Sequence, residues 1–170
     1  MSEKSTNKYA IVDLEATSAS STACIIQVGI VIMQNGRVID EFASDVNPHQ
    51  KLDNHIVHLT GITDQQLSQA PDFSEIARTI FELIEDCIFV AHNVKFDANL
   101  LAEALFMEGF ELRTPRVDTV ELAQVFYPTL EQYNLSYLSR VLNLDLAQAH
   151  TAIEDARATG KLLFHLMDKI

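Results

Sequence analysis

The chain has 170 residues, 48% of them hydrophobic and 21% charged, with a formal net charge of −12. That is room for one domain with a real core and the composition of a globular protein. So acidic a balance argues against a broad basic face for gripping duplex DNA, because phosphate contacts need Lys and Arg; a site that admits only a strand end stays allowed, since bound metal ions can supply the positive charge that side chains lack.

The polar start predicts a short disordered leader over residues 1–7, ahead of a single domain over 8–170. No apolar run approaches the ~20 residues of a membrane span and no signal-peptide core follows the start, so no membrane partner is expected. Cys24 and Cys87 lie far apart with no C-x-x-C spacing, which predicts reduced thiols in a cytoplasmic protein.

The segment "KYAIVDLEAT" reads as a β-rich run interrupted by two acids. "CIIQVGIVIMQNGRVIDEFASDVNP" reads as two strands joined at Asn35-Gly36, a two-residue hairpin signal. The first carries Ile25, Ile26, Val28, Ile30 and Ile32, the second Val38, Ile39 and Phe42. Short helical turns follow in "DNHIVHLTG" and "TDQQLSQ", the latter with a Thr63/Gln66 capping box. Phe73 to Glu85 has the spacing of a helix, "CIFVAH" that of a buried strand, and Val94 to Glu108 that of a helix ending at Gly109. A brief strand closes at Val117, and Asp118 with Glu121 suits a helix start. "YNLSYLSRVLN" and Ala152 to Met167 supply two more helices. A three-strand meander followed by alternating strands and helices predicts a mixed α/β sheet with helices on its faces.

Four acids stand where a core is expected. Alternation along the first strand puts Tyr9, Ile11, Asp13 and Glu15 on one face and Ala10, Val12, Leu14 and Ala16 on the other. Two like charges at the edge of a core are unfavourable unless something neutralises them; a strand end that protrudes into solvent is the plainer alternative. In the last helix, Asp155 heads the stripe Ala158, Thr159, Leu162, Leu163 and Leu166. With Thr151 as N-cap and Glu154 completing a capping box, Asp155 is the fourth helical residue and His150 precedes the cap. Those two positions pack together in a hydrophobic staple, so His150 should stand close to Asp155. The same arithmetic with Asn93 as cap puts His92 and Asp97 in the matching slots, with Asp97 leading Leu100, Leu101, Ala104 and Leu105. The helix dipole accounts for acids in a first turn, but not for acids on the apolar stripe. Asp13, Glu15, Asp97 and Asp155 together offer hard oxygen donors, which suit Mg²⁺ or Mn²⁺ better than zinc. Two such ions would neutralise the cluster and serve phosphoryl transfer.

"VDLEAT" at 12–17, "HNVKFDANLL" at 92–101 and "HTAIEDA" at 150–156 resemble, in order and spacing, the three motifs of the DEDDh 3′–5′ exonucleases, the family of the proofreading subunit of bacterial DNA polymerase III. "HLTGITDQQLSQAPDF" at 58–73 resembles the segment between them, and "RVDTVELAQVFYPTLEQYNLSYLS" is most similar to the exonuclease domains of DinG-type helicase-nucleases, with those of PolC polymerases also near. The resemblance spans residues 8 to 168. It implies a ribonuclease-H-like fold with a five-stranded mixed sheet flanked by helices. It further implies two Mg²⁺ or Mn²⁺ ions: Asp13, Glu15 and Asp155 on the first, with Asp13 bridging to a second that Asp97 supports. His150 would be the general base that takes the attacking water's proton, a task its ordinary pKa suits.

The implied substrate is the 3′ end of single-stranded or frayed DNA, released as nucleoside 5′-monophosphates. Two alternatives stay open: a 3′–5′ exoribonuclease or oligoribonuclease, and a weakly active strand-end-binding module of a larger polymerase or helicase. The terminal nucleotide would lie against Leu14, Thr17, Ser18, Leu59, Thr60, His92, Asn93 and Phe96. Within that set His92 reads equally well as packing on the helix start, Asn93 as a cap first, and Phe96 as core. One departure stands out: family members commonly read D-x-E-T-T-G, whereas this chain reads "DLEATS", with Ala16 and Ser18. Glycine permits close backbone approach, so Ser18 bears on tightness and sugar preference. His55 and His58 read as polar surface, and Asp118 as a helix cap rather than a fifth ligand.

Overall fold

The structure, a computed structural model, describes residues 6–18, 22–144 and 151–170. Tyr9–Ala16 (β1), Ile25–Gln34 (β2) and Arg37–Asp45 (β3) form the antiparallel meander. Ile88–Ala91 (β4) and Arg116–Asp118 (β5) add in parallel on the other side of β1, giving the order β3-β2-β1-β4-β5. Asn35 and Gly36 turn the hairpin with φ of 54° and 76°, the doubly positive pair that an Asn-Gly turn supplies.

The helices are Asn54–Thr60 (α1), Asp64–Ser68 (α2), Phe73–Ile84 (α3), Val94–Met107 (α4), Thr119–Phe126 (α5), Leu135–Val141 (α6) and Ala152–Met167 (α7). None among the described residues is long and apolar enough to cross a membrane. α3 and α4 each end one residue before the expected boundary, with Glu85 and Glu108 at the caps. Both positions are frayed ends where such a difference is ordinary. Of the expected leader 1–7, residues 1–5 lie outside the described ones, and the Thr6 carbonyl accepts from Gln34 Nε2 at 3.1 Å.

β1 has helices on both sides. Ala10, Val12 and Leu14 pack with Val28, Ile30 and Phe89 under the inner residues of α3 and α4, among them Ile80, Ile84, Leu101 and Leu105. Tyr9 and Ile11 point the other way and join Val31, Met33 and Val90 against Ala156 and Leu163 of α7. The stripe behind Asp155 is buried throughout: Ala158, Thr159, Leu162, Leu163 and Leu166 are all at or below 4% exposure. Its flank closes on α5 and α6 through Ala123 and Leu138, and α1 and α2 close over Ile26 through Ile56 and Leu67. Val38 and Ile39, expected among the apolar residues of β3, stay about half exposed at 51% and 50%. They sit at the sheet edge, where a register shift opposite Ile32 and Met33 breaks the ladder.

Candidate functional site

The apolar face that β1 shows to α7 ends in acids, as the alternation requires. Asp13 and Glu15 follow Tyr9 and Ile11 on that face, and α7 brings Asp155 to them. One carboxylate oxygen from each of Asp13, Glu15 and Asp155 lies within 4.8 Å of the others. Thr151 starts α7 from an extended conformation, φ −89° and ψ 155°, and its hydroxyl accepts from the Glu154 N–H at 3.3 Å. The capping box is modified: the Glu154 carboxylate takes the Thr151 hydroxyl proton, at 2.9 Å. His150 lies outside the described residues.

Two residues that the acid pattern does not reveal seat α7 on the sheet. Gly29 is the cross-strand partner of Asp13, and a Cβ there would stand 2.3 Å from the Ala152 carbonyl carbon and the Ile153 nitrogen. Backbone therefore lies on backbone, and only glycine leaves the space. Gln27, the partner of Glu15, accepts the Ala152 N–H at 2.9 Å. The signal available in the sequence was a glutamine and a glycine inside the otherwise apolar run "IIQVGIVI".

Asp97 arrives by another route. Asn93 occupies the cap position of α4, but its backbone is left-handed, φ 74°, and its side chain makes no capping bond. The expected Asn93 cap is thus corrected: a two-residue turn from β4 into α4 requires positive φ, and asparagine tolerates it. The Asn93 N–H is held instead by Asp118 Oδ1 at 3.0 Å, and the same oxygen caps α5 through Val120 N–H at 2.9 Å. From that turn Asp97 reaches β1, where its Oδ1 accepts the Leu14 N–H at 3.2 Å. Only 5% of Asp97 is exposed.

Protons are held tightly here when no cation is present. Burial pushes the Asp13 carboxyl well above the usual carboxylate range, and Asp97, Asp155 and Glu15 push it further. Glu15 is raised to about 7, by burial and then by Asp155. Asp97 rises to about 8, chiefly by burial, against the Leu14 hydrogen bond that favours its ionised form. Among the described residues, Asp13 Oδ2 is buried with no hydrogen-bond partner. A buried orphan oxygen among crowded carboxylates is the environment that a hard divalent cation would satisfy. The donor set, oxygen throughout, fits Mg²⁺ or Mn²⁺.

The remaining expected contacts fall at different places. Leu14 is 6% exposed and fixed by its bond to Asp97. The Thr17 hydroxyl accepts the Cys24 N–H at 3.0 Å while the Thr17 N–H donates to the Cys24 carbonyl at 2.9 Å. Ser18 is half-buried at the end of its described segment. Leu59 is 68% exposed at the end of α1; Thr60 beside it donates to the Ile56 carbonyl at 2.8 Å and accepts from Ile62 N–H at 3.1 Å. Phe96 is half-buried in the first turn of α4. His92 does not pair with Asp97 as the staple arithmetic suggested: its Nδ1 meets the Thr119 hydroxyl at 2.8 Å and its Nε2 the Tyr133 carbonyl at 2.6 Å. Burial lowers its pKa, so a neutral ring that donates through Nε2 and accepts at Nδ1 satisfies both bonds. Neither nitrogen is then left for a substrate.

With this geometry in hand, comparisons with known proteins give consistent matches. An exonuclease family model, RNase_T, matches residues 10–163. The chain is 39% identical over 163 residues to proteins of Staphylococcus aureus named 3′-5′ exonuclease DinG, covering 95% of this chain and 18% of theirs. It therefore spans about a fifth of those relatives' length. Among solved structures, exonuclease X in complex with 5′-overhanging duplex DNA aligns with a TM-score of 0.77 at 20% identity, covering 95% of this chain and 92% of that one. The nuclease domain of 3′hExo, a DEDDh family member bound to rAMP, aligns at 0.80 and 16% identity, covering 96% and 92%. Escherichia coli exonuclease I in complex with a dT13 oligonucleotide aligns at 0.81 and 17% identity, covering 96% and 41%. These three likenesses establish the ribonuclease-H-like exonuclease fold.

Proposed function

The chain belongs to the RNase_T exonuclease family, and from that premise we propose that it is a divalent-metal-dependent 3′–5′ exonuclease acting on single-stranded or frayed DNA ends. The observation that carries the reading is the approach of Asp13, Glu15 and Asp155 to within 4.8 Å, with Asp97 tied to Leu14 between the first two. Asp13, Glu15 and Asp155 would hold one ion, and Asp13 and Asp97 a second. When bound, the ions supply a water of lowered pKa and offset the charge on the departing 3′-oxygen.

The chain's own groups do the rest. His150, directly ahead of the Thr151 cap, takes a proton from the attacking water, a role for which a neutral imidazole is suited near pH 7. Burial and crowding raise the proton affinity of Asp13 and Glu15 in the metal-free site, so divalent cations would bind there in competition with protons. Water attacks the terminal phosphodiester in line, the bond to the 3′-oxygen breaks, and a nucleoside 5′-monophosphate leaves. The Thr17 hydroxyl would meet the terminal sugar, with Ser18 beside it. Exposed Leu59 and half-buried Phe96 would offer apolar surface to the last bases, whereas Thr60 and His92 spend their polar atoms on the protein itself.

DNA is favoured by the titles of the exonuclease X and exonuclease I structures, which hold DNA. RNA is the second reading, favoured by the rAMP-bound neighbour. Since the matched relatives are much longer, attachment to a helicase or polymerase belongs to the proposal, as does a cytoplasmic setting, which the free Cys24 and Cys87 suit. Labelled DNA and RNA oligonucleotides of one sequence, incubated with Mg²⁺ or Mn²⁺, test it. Mononucleotides released from the 3′ end support the reading, and the larger kcat/KM names the substrate. Tight binding of a 3′ end without cleavage in either metal would replace the enzyme by a strand-end-binding module.

A further inference from the structure

We infer that Gln27 is a positioning residue that sets where the first turn of α7 meets the sheet, and hence where Asp155 meets Asp13 and Glu15. The inference rests on the metal-dependent reading above. The first N–H groups of a helix have no partner within it, and Ala152, the first residue of α7, is fully buried, so water cannot serve its N–H. Gln27 Oε1 serves it at 2.9 Å, from 125 residues away in sequence.

An amide can present either its oxygen or its nitrogen, and here the choice is forced. Gln27 Nε2 donates to Asp45 Oδ1 at 2.8 Å, and a carboxylate only accepts. Asp45 is itself held, because its Oδ2 accepts from Gln66 Nε2 of α2 at 2.8 Å. The amide oxygen is thereby aimed at α7, and a chain of hydrogen bonds runs from α2 through Asp45 and Gln27 to Ala152. Gly29, two residues along β2, sets how deeply the helix backbone approaches, and Gln27 holds it at that depth. Asp155 follows rigidly, since its N–H is bonded to the Thr151 carbonyl in the same turn at 3.0 Å. Gln27 is also the cross-strand partner of Glu15, so a shift of the strand there moves two of the acids together. It needs to touch neither ion nor nucleotide to act; partners behind metal ligands commonly govern affinity in this way.

The test uses the full chain without nucleic acid, with Mn²⁺ affinity from titration calorimetry and the hydrogen exchange of the Ala152 amide as readouts. Gln27→Ala should weaken Mn²⁺ binding by about tenfold to a hundredfold and deprotect the Ala152 amide. The paired change Gln27→Glu with Asp45→Asn reverses the donor and acceptor between the two side chains at constant net charge, and should restore both. Asn134→Ala removes an unrelated cap, that of α6, and should lower stability while leaving Mn²⁺ affinity alone. Unchanged Mn²⁺ affinity in Gln27→Ala, or an equal loss in Asn134→Ala, overturns the inference. If the wild-type chain binds no Mn²⁺, or Asp13→Asn binds it equally well, the nuclease reading fails instead. The Ala152 amide still decides in that case whether Gln27 holds the helix.

Discussion

The two helices that deliver acids to β1 start from the same spacing in the sequence and reach the site by different means. α7 begins at an extended Thr151 whose hydroxyl caps the first turn, and its seat is made by β2, at Gly29 and Gln27. α4 begins at a left-handed Asn93 with no side-chain cap, and Asp118 holds its turn from β5. The acids differ accordingly. Asp155 is half-buried and joins the carboxylate cluster, whereas Asp97 is almost wholly buried and spends one oxygen on the Leu14 N–H. Equal spacing specifies which helix face an acid takes; the element packed against that face decides what the acid does there.

The largest effect is expected where both helices converge. Asp13→Asn should lower kcat by roughly a thousandfold, the scale of losing a main electrostatic element of a site, and an unchanged rate in a steady-state assay would sink the metal reading. Without divalent ions the same variant should melt higher than the wild type, because an ionisable group crowded by Asp97, Asp155 and Glu15 is removed. The pH dependence has a definite sign. Glu15 at about 7 and Asp97 at about 8 lie above their unfolded values of 4.5 and 3.8, so the folded state holds more protons between those limits. Stability of the metal-free protein therefore falls as pH rises from about 4.5 to 8, and saturating Mg²⁺ or Mn²⁺ should flatten that slope in thermal melts.

Next comes the seat of α7. Gly29→Ala drives a methyl into the Ala152 backbone and should cost about 1–3 kcal/mol or more, with activity falling alongside as Asp155 is displaced. A urea midpoint equal to that of the wild type would show that α7 is seated otherwise. The two caps then separate the helices directly. Asp118→Ala strips an acceptor from two N–H groups, those of Asn93 and Val120, and should cost about 2 kcal/mol, against about 1 kcal/mol for Thr151→Ala. Equal losses would erase the distinction drawn between the two starts. The smallest change is Asn93→Gly, within a few tenths of a kcal/mol of neutral, since glycine accepts positive φ; Asn93→Ala at the same φ should cost about 1 kcal/mol.

Much of this was legible beforehand for a simple reason: alternation and helical spacing are local. Period two in "YAIVDLEA" put Asp13 and Glu15 on one face, and the stripe behind Asp155 marked that acid as inward-pointing. The Asn-Gly hairpin and the Thr63 and Thr151 caps were equally local. Illegible were the partners that lie far along the chain. His92 turns to Thr119 and Tyr133 because α5 and the segment before α6 fold over it; nothing near residue 92 announces them. Asn93 reads as a capping residue on composition alone, yet the tight β4-to-α4 turn uses its tolerance of left-handed backbone.

The residues by themselves thus determined the order of elements, the faces they bury and which acids point inward at the edge of the core, because those follow from periodicity and from the cost of burying charge. The tertiary structure alone decided how the acids are brought together. Gln27 and Gly29 act on a helix more than a hundred residues away, and Asp118 on a turn 25 residues upstream. Such contacts depend on backbone approach and hydrogen-bond direction in three dimensions, which spacing along the chain does not encode.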